Sequence, residues 1–270
     1  MDTRSLPPLV HLLLLAALAA AAFVVLRPAG GEAPISRWRP SGDGPAPIAG
    51  EAAPAPARAL TVRVDEGLYA AERGELPAEL ERTLAYVSAR FGAALSGPIT
   101  ATLVADGGCA LSGIAYTDVR VVQVHTCQDI ARPRAVAILA HEFVHQLQQD
   151  RYGARHLSAD LILSEGMATW AAGEYWLSGH PDFRSYVRAQ RASGTLYPLA
   201  THYRGLGIGA MNALYYQWAS FVEFLVQTYG REKLDQLYLT GAGDPGSADY
   251  AGVYGKGLEE LEREWLSWLE

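Results

Sequence analysis

The stretch AILAHEFVHQLQQD, residues 137–150, carries His141 and His145 four positions apart, with Glu142 beside the first. Residues four apart share a face on an α-helix, so a helical stretch lets both imidazoles reach one metal ion. Glu142 leans to the side of that face, where it can reach a water on the ion without ligating it. Two ligands do not make a stable site, so the fold has to bring up a third. The sequence offers LSEGMATW, residues 163–170, with Glu165 twenty residues beyond His145 on the next helix. A carboxylate buried alone in this Ala-rich, apolar setting would cost roughly several kcal/mol, and a metal removes that cost; the bland alternative is an exposed glutamate at a helix start. Gly166 and Ala168 are small enough to let two helices approach closely around an ion.

The local pattern of strands and helices gives an α+β chain. LTVRV at 60–64, ITATLVA at 99–105 and VRVVQVH at 119–125 have the alternation and β-branched content of strands. Apolar residues at Leu76, Leu80, Leu84 and Val87 mark one helix face, and Gly92 closes it. Pro133 opens the helix that bears the two histidines and runs to about Asp150. A second helix is predicted over roughly 159–177. Leu214, Trp218, Phe221, Val222, Leu225 and Tyr229 mark a third, stopped at Gly230, followed by helices at 231–240 and 258–268 on either side of a Gly-rich loop. Trp218, Trp265 and Trp268 fall at helical spacing and read as core. His125, His156 and His180 lie near element ends and read as surface histidines. The net charge of −7 is spread along the chain without a Lys/Arg cluster, which argues against phosphate-driven binding of nucleic acid.

HEFVH followed by SEGMATW resembles the gluzincin metallopeptidases, in particular the peptidase-MA-like domains of bacterial exported proteins. YYQWASFVEFLVQTYG, residues 215–230, is similar to the helix that follows in that group. The resemblance implies a zincin-like fold, with a small mixed sheet, an HExxH helix and a helical C-terminal part. It implies a zinc ion on His141, His145 and Glu165, with an open fourth position, Glu142 as general base, and peptide or protein substrates. It also implies an oxyanion donor from the helical part, for which Tyr215 occupies the matching position; Tyr216 and His202 are weaker candidates. VRVVQVH would be the edge along which an extended peptide pairs. A metzincin would carry Gly and His where this chain has Gln148 and Arg151, so that pattern is excluded. A thermolysin-like enzyme would carry an acidic residue four positions after the third ligand, and here that position is Thr169. The partners orienting the two histidines must then come from elsewhere, with Asp160 and Glu174 as possibilities. The competing function is a catalytically silent domain of the same fold that binds a partner outside the cytoplasm.

Ahead of this unit the chain is of a different kind. Leu9 to Leu26 is an uncharged apolar run long enough to span a bilayer core of about 30 Å, and Arg27 and Pro28 follow it without a small-x-small cleavage site. Residues 1–27 are therefore expected to be an uncleaved membrane anchor, the alternative being a cleaved signal and a secreted protein. Residues 28–59 are rich in Pro, Ala and Gly and read as a tether. The folded unit is 60–270, outside the cytoplasm, where an even cysteine count suggests that Cys109 and Cys127 are bridged.

Overall fold

A computed structural model describes residues 59–270; the anchor and the tether lie outside the described residues. Among the described residues no helix is long and apolar enough to cross a membrane. The chain begins with β1 (Leu60–Val64), α1 (Leu76–Phe91) and β2 (Ile99–Ala105), as the sequence predicts. Then come β3 (Ser112–Tyr116), β4 (Val121–Thr126) and the long helix α2 (Arg132–Tyr152). The remainder is helical: a 3-10 turn at Gly153–Ser158, α3 (Leu161–Ala172), α4 (Glu174–Leu177), α5 (Phe183–Ala192), α6 (Ile208–Tyr229), α7 (Arg231–Tyr238), α8 (Tyr250–Tyr254) and α9 (Leu258–Trp268). The result is mixed α+β with a small sheet and many helices, consistent with a zincin-like fold.

The sheet runs β1-β2-β4-β3, with β1, β2 and β4 parallel and β3 antiparallel to β4. This corrects one expectation. VRVVQVH is an interior strand, paired on both sides, and the edge belongs to β3, in a stretch between the predicted strands 99–105 and 119–125. Every residue of β3 except exposed Tyr116 is half-buried, so SGIAY shows none of the alternation by which strands are recognised. The Cys109–Cys127 disulfide ties the loop before β3 to the residue just after β4.

Helix α2 lies between this sheet and the helical layer. From Leu139 to Gln148 every residue but His145 is buried, so its polar side chains must find partners inside the protein. Helix α3 packs between α2 and α6. At Gly166 a Cβ would stand 2.7 Å from the backbone oxygen of Trp218, so the small residue next to Glu165 is what lets α3 lie against α6. The single helix expected over 159–177 is broken in two at Gly173, where φ is +52° and a Cβ would meet the Tyr86 hydroxyl at 2.4 Å. Asp160 is not at the histidines. It caps α3 through Ile162 N–H and accepts from Gly246 N, Ala248 N and the Tyr250 hydroxyl, fastening the 241–250 loop to the helix start. Helix α5 was also unanticipated, since it buries only Phe183, Val187 and Gln190.

The C-terminal end of α2 is tied to the sheet by Asp150. Its carboxylate accepts two bonds from the Arg120 guanidinium, at 2.6 and 3.0 Å, and one from Ser96 N–H at 2.8 Å. Arg120, in the β3–β4 turn, also donates to the carbonyls of Gly97 and Pro98. Burial raises the Asp150 pKa, but the Arg120 and Ser96 hydrogen bonds outweigh it and hold the carboxyl below its usual value. A carboxylate so depressed contributes stability above its unfolded pKa of about 3.9 and loses it as pH falls through the folded value. Asp150→Asn is therefore expected to lower the unfolding free energy by about 1–2 kcal/mol at pH 7. In urea titrations that gap should close below about pH 4.

Candidate metal centre

Helices α2 and α3 bring three acceptor atoms to one point. His141 Nε2 is 3.1 Å from Glu165 Oε2 and 3.1 Å from His145 Nε2, and His145 Nε2 is 3.7 Å from Glu165 Oε2. These three residues form one of the groups that could hold a metal ion among the described residues. Glu142 is not in it. The other such group includes Cys109 and Cys127, whose sulfurs are joined to each other.

The far side of each imidazole explains why the near side is an acceptor. Gln148 donates through Nε2 to the Ser164 carbonyl at 2.8 Å, which fixes its amide so that Oε1 faces His145 Nδ1, also at 2.8 Å. Nδ1 must then carry the proton, leaving the His145 Nε2 lone pair bare. The Thr169 hydroxyl lies 3.4 Å from His141 Nδ1 and, able to donate or accept, is compatible with the same tautomer there. The orienting partners are thus Gln148 and Thr169, not Asp160 or Glu174; Glu174 is exposed, and its backbone N–H is held by the Tyr86 hydroxyl. Thr169 stands at the position where an acidic residue was missed, and it faces the histidine with a neutral oxygen instead.

Two imidazole lone pairs and a carboxylate oxygen repel one another at 3–4 Å unless a cation lies among them. A proton is one such cation. Burial pulls the His145 pKa down, but the charge and hydrogen bond of Glu165 raise it to about 9, while burial lowers that of His141. Against the cost of burial, the charge on His145 drives Glu165 far below the usual carboxylate range. A metal ion is the other. Metal–nitrogen and metal–oxygen bonds of about 2.0–2.1 Å in a tetrahedral site place the ligand atoms about 3.3–3.4 Å apart, and the three observed separations bracket that value. The donor set of two imidazoles and one carboxylate, with three protein atoms rather than four, suits a zinc ion with an open position.

Glu142 is buried beside this group, under β3. At Gly113 a Cβ would lie 2.3 Å from Glu142 Oε1 and 2.4 Å from Ile138, so only glycine leaves room for the carboxylate below the edge strand. Burial raises the Glu142 pKa; His145 opposes and Glu165 adds to it, and the result is about 7. That is the range in which a carboxylate can both take and return a proton at neutral pH.

Aromatic residues close the other side. Tyr215, on α6, stacks on the His141 ring at 5.6 Å with 7° between the planes. Its hydroxyl is buried, and the groups it interacts with are the Glu165 carboxylate and the Tyr203 hydroxyl. Burial, with the charge of Glu165, holds its pKa well above the usual 10, so it stays protonated and can only donate or accept as a neutral phenol. The weaker candidates lie elsewhere: the Tyr216 hydroxyl donates to the Trp176 carbonyl, and His202 accepts from Arg204 N–H with its ring on Tyr203. Trp176 and Tyr203, which sequence reasoning missed, both border Tyr215, with ring centroids 5.9 and 5.8 Å away. His156 is not a free surface histidine. Its ring lies 5.7 Å from that of His145, its Nδ1 is 2.8 Å from the Tyr238 hydroxyl, and burial lowers its pKa to about 3. His125, half-buried beside Gln123, and exposed His180 lie apart from the group.

No family model and no curated protein matches the chain. Among solved structures it is similar to a mutant of the M1 zinc metallopeptidase from Deinococcus radiodurans, with 21% identity and a TM-score of 0.45, over 75% of this chain. It spans 48% of that chain, about half its length. A likeness at that TM-score carries no weight beside the geometry itself.

The hydrogen bond on His145 Nδ1 gives a direct test of the arrangement. Gln148→Leu fills similar space but frees the imidazole to rotate and change tautomer. It is expected to weaken zinc binding by about 10–100-fold in a competition titration against a chromophoric chelator, with the fold retained.

Proposed function

We propose that the chain is a zinc metallopeptidase that hydrolyses peptide bonds, with His141, His145 and Glu165 as the metal ligands and Glu142 as general base. The observation that carries this is the convergence of three acceptor atoms at tetrahedral-edge spacing, with a fourth, non-ligating carboxylate beside them. A zinc ion held there supplies Lewis acidity and makes water nucleophilic near neutral pH. Glu142, buried beside the ligands, takes the proton of the attacking water and returns it to the leaving amine. Tyr215, protonated and buried beside the metal ligands, donates to the oxygen of the scissile carbonyl as negative charge develops there.

The edge strand supports a peptide substrate. The outer side of β3 is unpaired in the sheet, and its Gly113 lies directly over Glu142. An extended polypeptide that adds to this edge by main-chain hydrogen bonds would run past the general base and the metal ligands. Membrane tethering through residues 1–27, with the enzymatic unit outside the cytoplasm, is part of the same proposal. It is supported by the apolar run Leu9–Leu26 and by the Cys109–Cys127 disulfide, a bond favoured by an oxidising compartment.

Glu142→Gln separates binding from turnover. The variant is expected to keep its zinc and its fold while cleavage of an unstructured protein such as casein falls by about 10²–10⁴-fold. Equal cleavage by the variant and the wild type would remove Glu142 from the mechanism. A wild type that holds zinc and cleaves nothing would favour a silent binding domain.

A further inference from the structure

Helix α4 is only four residues long, yet its position is strongly constrained. Gly173 ends α3 at a positive φ of +52°, which L side chains rarely adopt, and a Cβ there would press on the Tyr86 hydroxyl and the Arg90 side chain. The Trp176 backbone is then held from two sides: its N–H donates to the Gly173 carbonyl at 3.0 Å, and its own carbonyl accepts from the Tyr216 hydroxyl at 2.9 Å. The consequence is a ring delivered to the metal centre, 4.8 Å from the His141 ring and 5.9 Å from Tyr215. Trp176 is half-buried as a residue, but its indole N–H is fully buried and has no acceptor among the described residues.

A phenylalanine would supply the same ring contact to His141. The indole adds one thing, a buried donor, and a buried donor left without a partner is destabilising. The Tyr215 hydroxyl is buried too, near the metal ligand Glu165, and the two rings touch each other as well as His141. An orphaned indole N–H beside a neutral phenol, on the rings that wall one histidine of the triad, is complementary to an acceptor oxygen that arrives with the ligand. We infer that the Trp176 indole N–H is a ligand-binding donor of this site, acting with the Tyr215 hydroxyl on a carbonyl or oxyanion oxygen of the bound molecule. This rests on the metallopeptidase proposal, and it adds a residue from the short helix after the Gly173 break.

The probe is acetohydroxamate, a small chelating oxyanion, added to the zinc-loaded folded domain labelled with ¹⁵N. The Trp176 indole N–H resonance is assigned by its contacts to the His141 and Tyr215 rings and by its absence from W176F. On binding it is expected to move downfield, while those of Trp170, Trp265 and Trp268 stay. W176F is expected to keep its zinc and lose about tenfold in acetohydroxamate affinity, as for one hydrogen bond to a charged oxygen. Binding with the Trp176 resonance unmoved would overturn this inference alone, whether or not W176F folds. A zinc-loaded wild type that takes up no acetohydroxamate at millimolar concentration would overturn the metallopeptidase proposal and this inference with it.

Discussion

Three electron-rich atoms from two helices meet inside this protein at separations where, without a cation between them, they repel. That constraint organises much of what surrounds them. It requires α2 to be buried on nearly all sides, which the sheet and α3 accomplish, and it requires α3 to lie close, which Gly166 permits by letting α6 press against its back. It also demands oriented imidazoles: Gln148, its amide locked on the Ser164 carbonyl, fixes the tautomer of His145, and the Thr169 hydroxyl lies on Nδ1 of His141. Neutral partners on both imidazoles orient the lone pairs without adding negative charge beside the metal position. Carboxylate partners would raise the basicity of the histidines further.

The chemistry of the neighbourhood follows from the same burial. Burial away from water, with Glu165 nearby, raises the Glu142 pKa to about 7, while Glu165 is driven the other way by the histidines. Two carboxylates a short distance apart are thereby given opposite protonation behaviour, one suited to holding a cation and one to moving a proton. The edge strand β3 takes part in this, because the Gly113 backbone passes where any side chain would displace the Glu142 carboxylate.

The helix of the histidines and the third acidic residue were legible in the sequence because their signals are local and chemical: a four-residue spacing, and a carboxylate in an apolar run. The first two strands and the helix ending at Gly92 were legible because burial there is one-sided and leaves a period. Strand β3 was not, since an edge strand half-buried throughout keeps no alternation, and its absence from the map moved the sheet edge to β4 by mistake. The break at Gly173 was hidden because a glycine inside a helical pattern does not announce a turn, and its positive φ shows only in the structure. Gln148 is instructive. It lies three residues after His145 on the same helix and is thus in reach of it, but the expectation of a charged partner directed attention to Asp160 and Glu174. Trp176 left no signal at all, since an aromatic near a helix end is usually core.

The most direct test of the central claim is zinc content together with its location. The folded domain, purified without chelator and offered zinc, should hold about one ion per chain, with anomalous scattering at the zinc edge giving a single peak bounded by His141 Nε2, His145 Nε2 and Glu165 Oε2. Glu165→Gln should lose that ion or bind it far more weakly. A wild type that takes up no zinc, or a peak away from these three atoms, would contradict the account and leave the triad as a protonated histidine paired with a buried carboxylate.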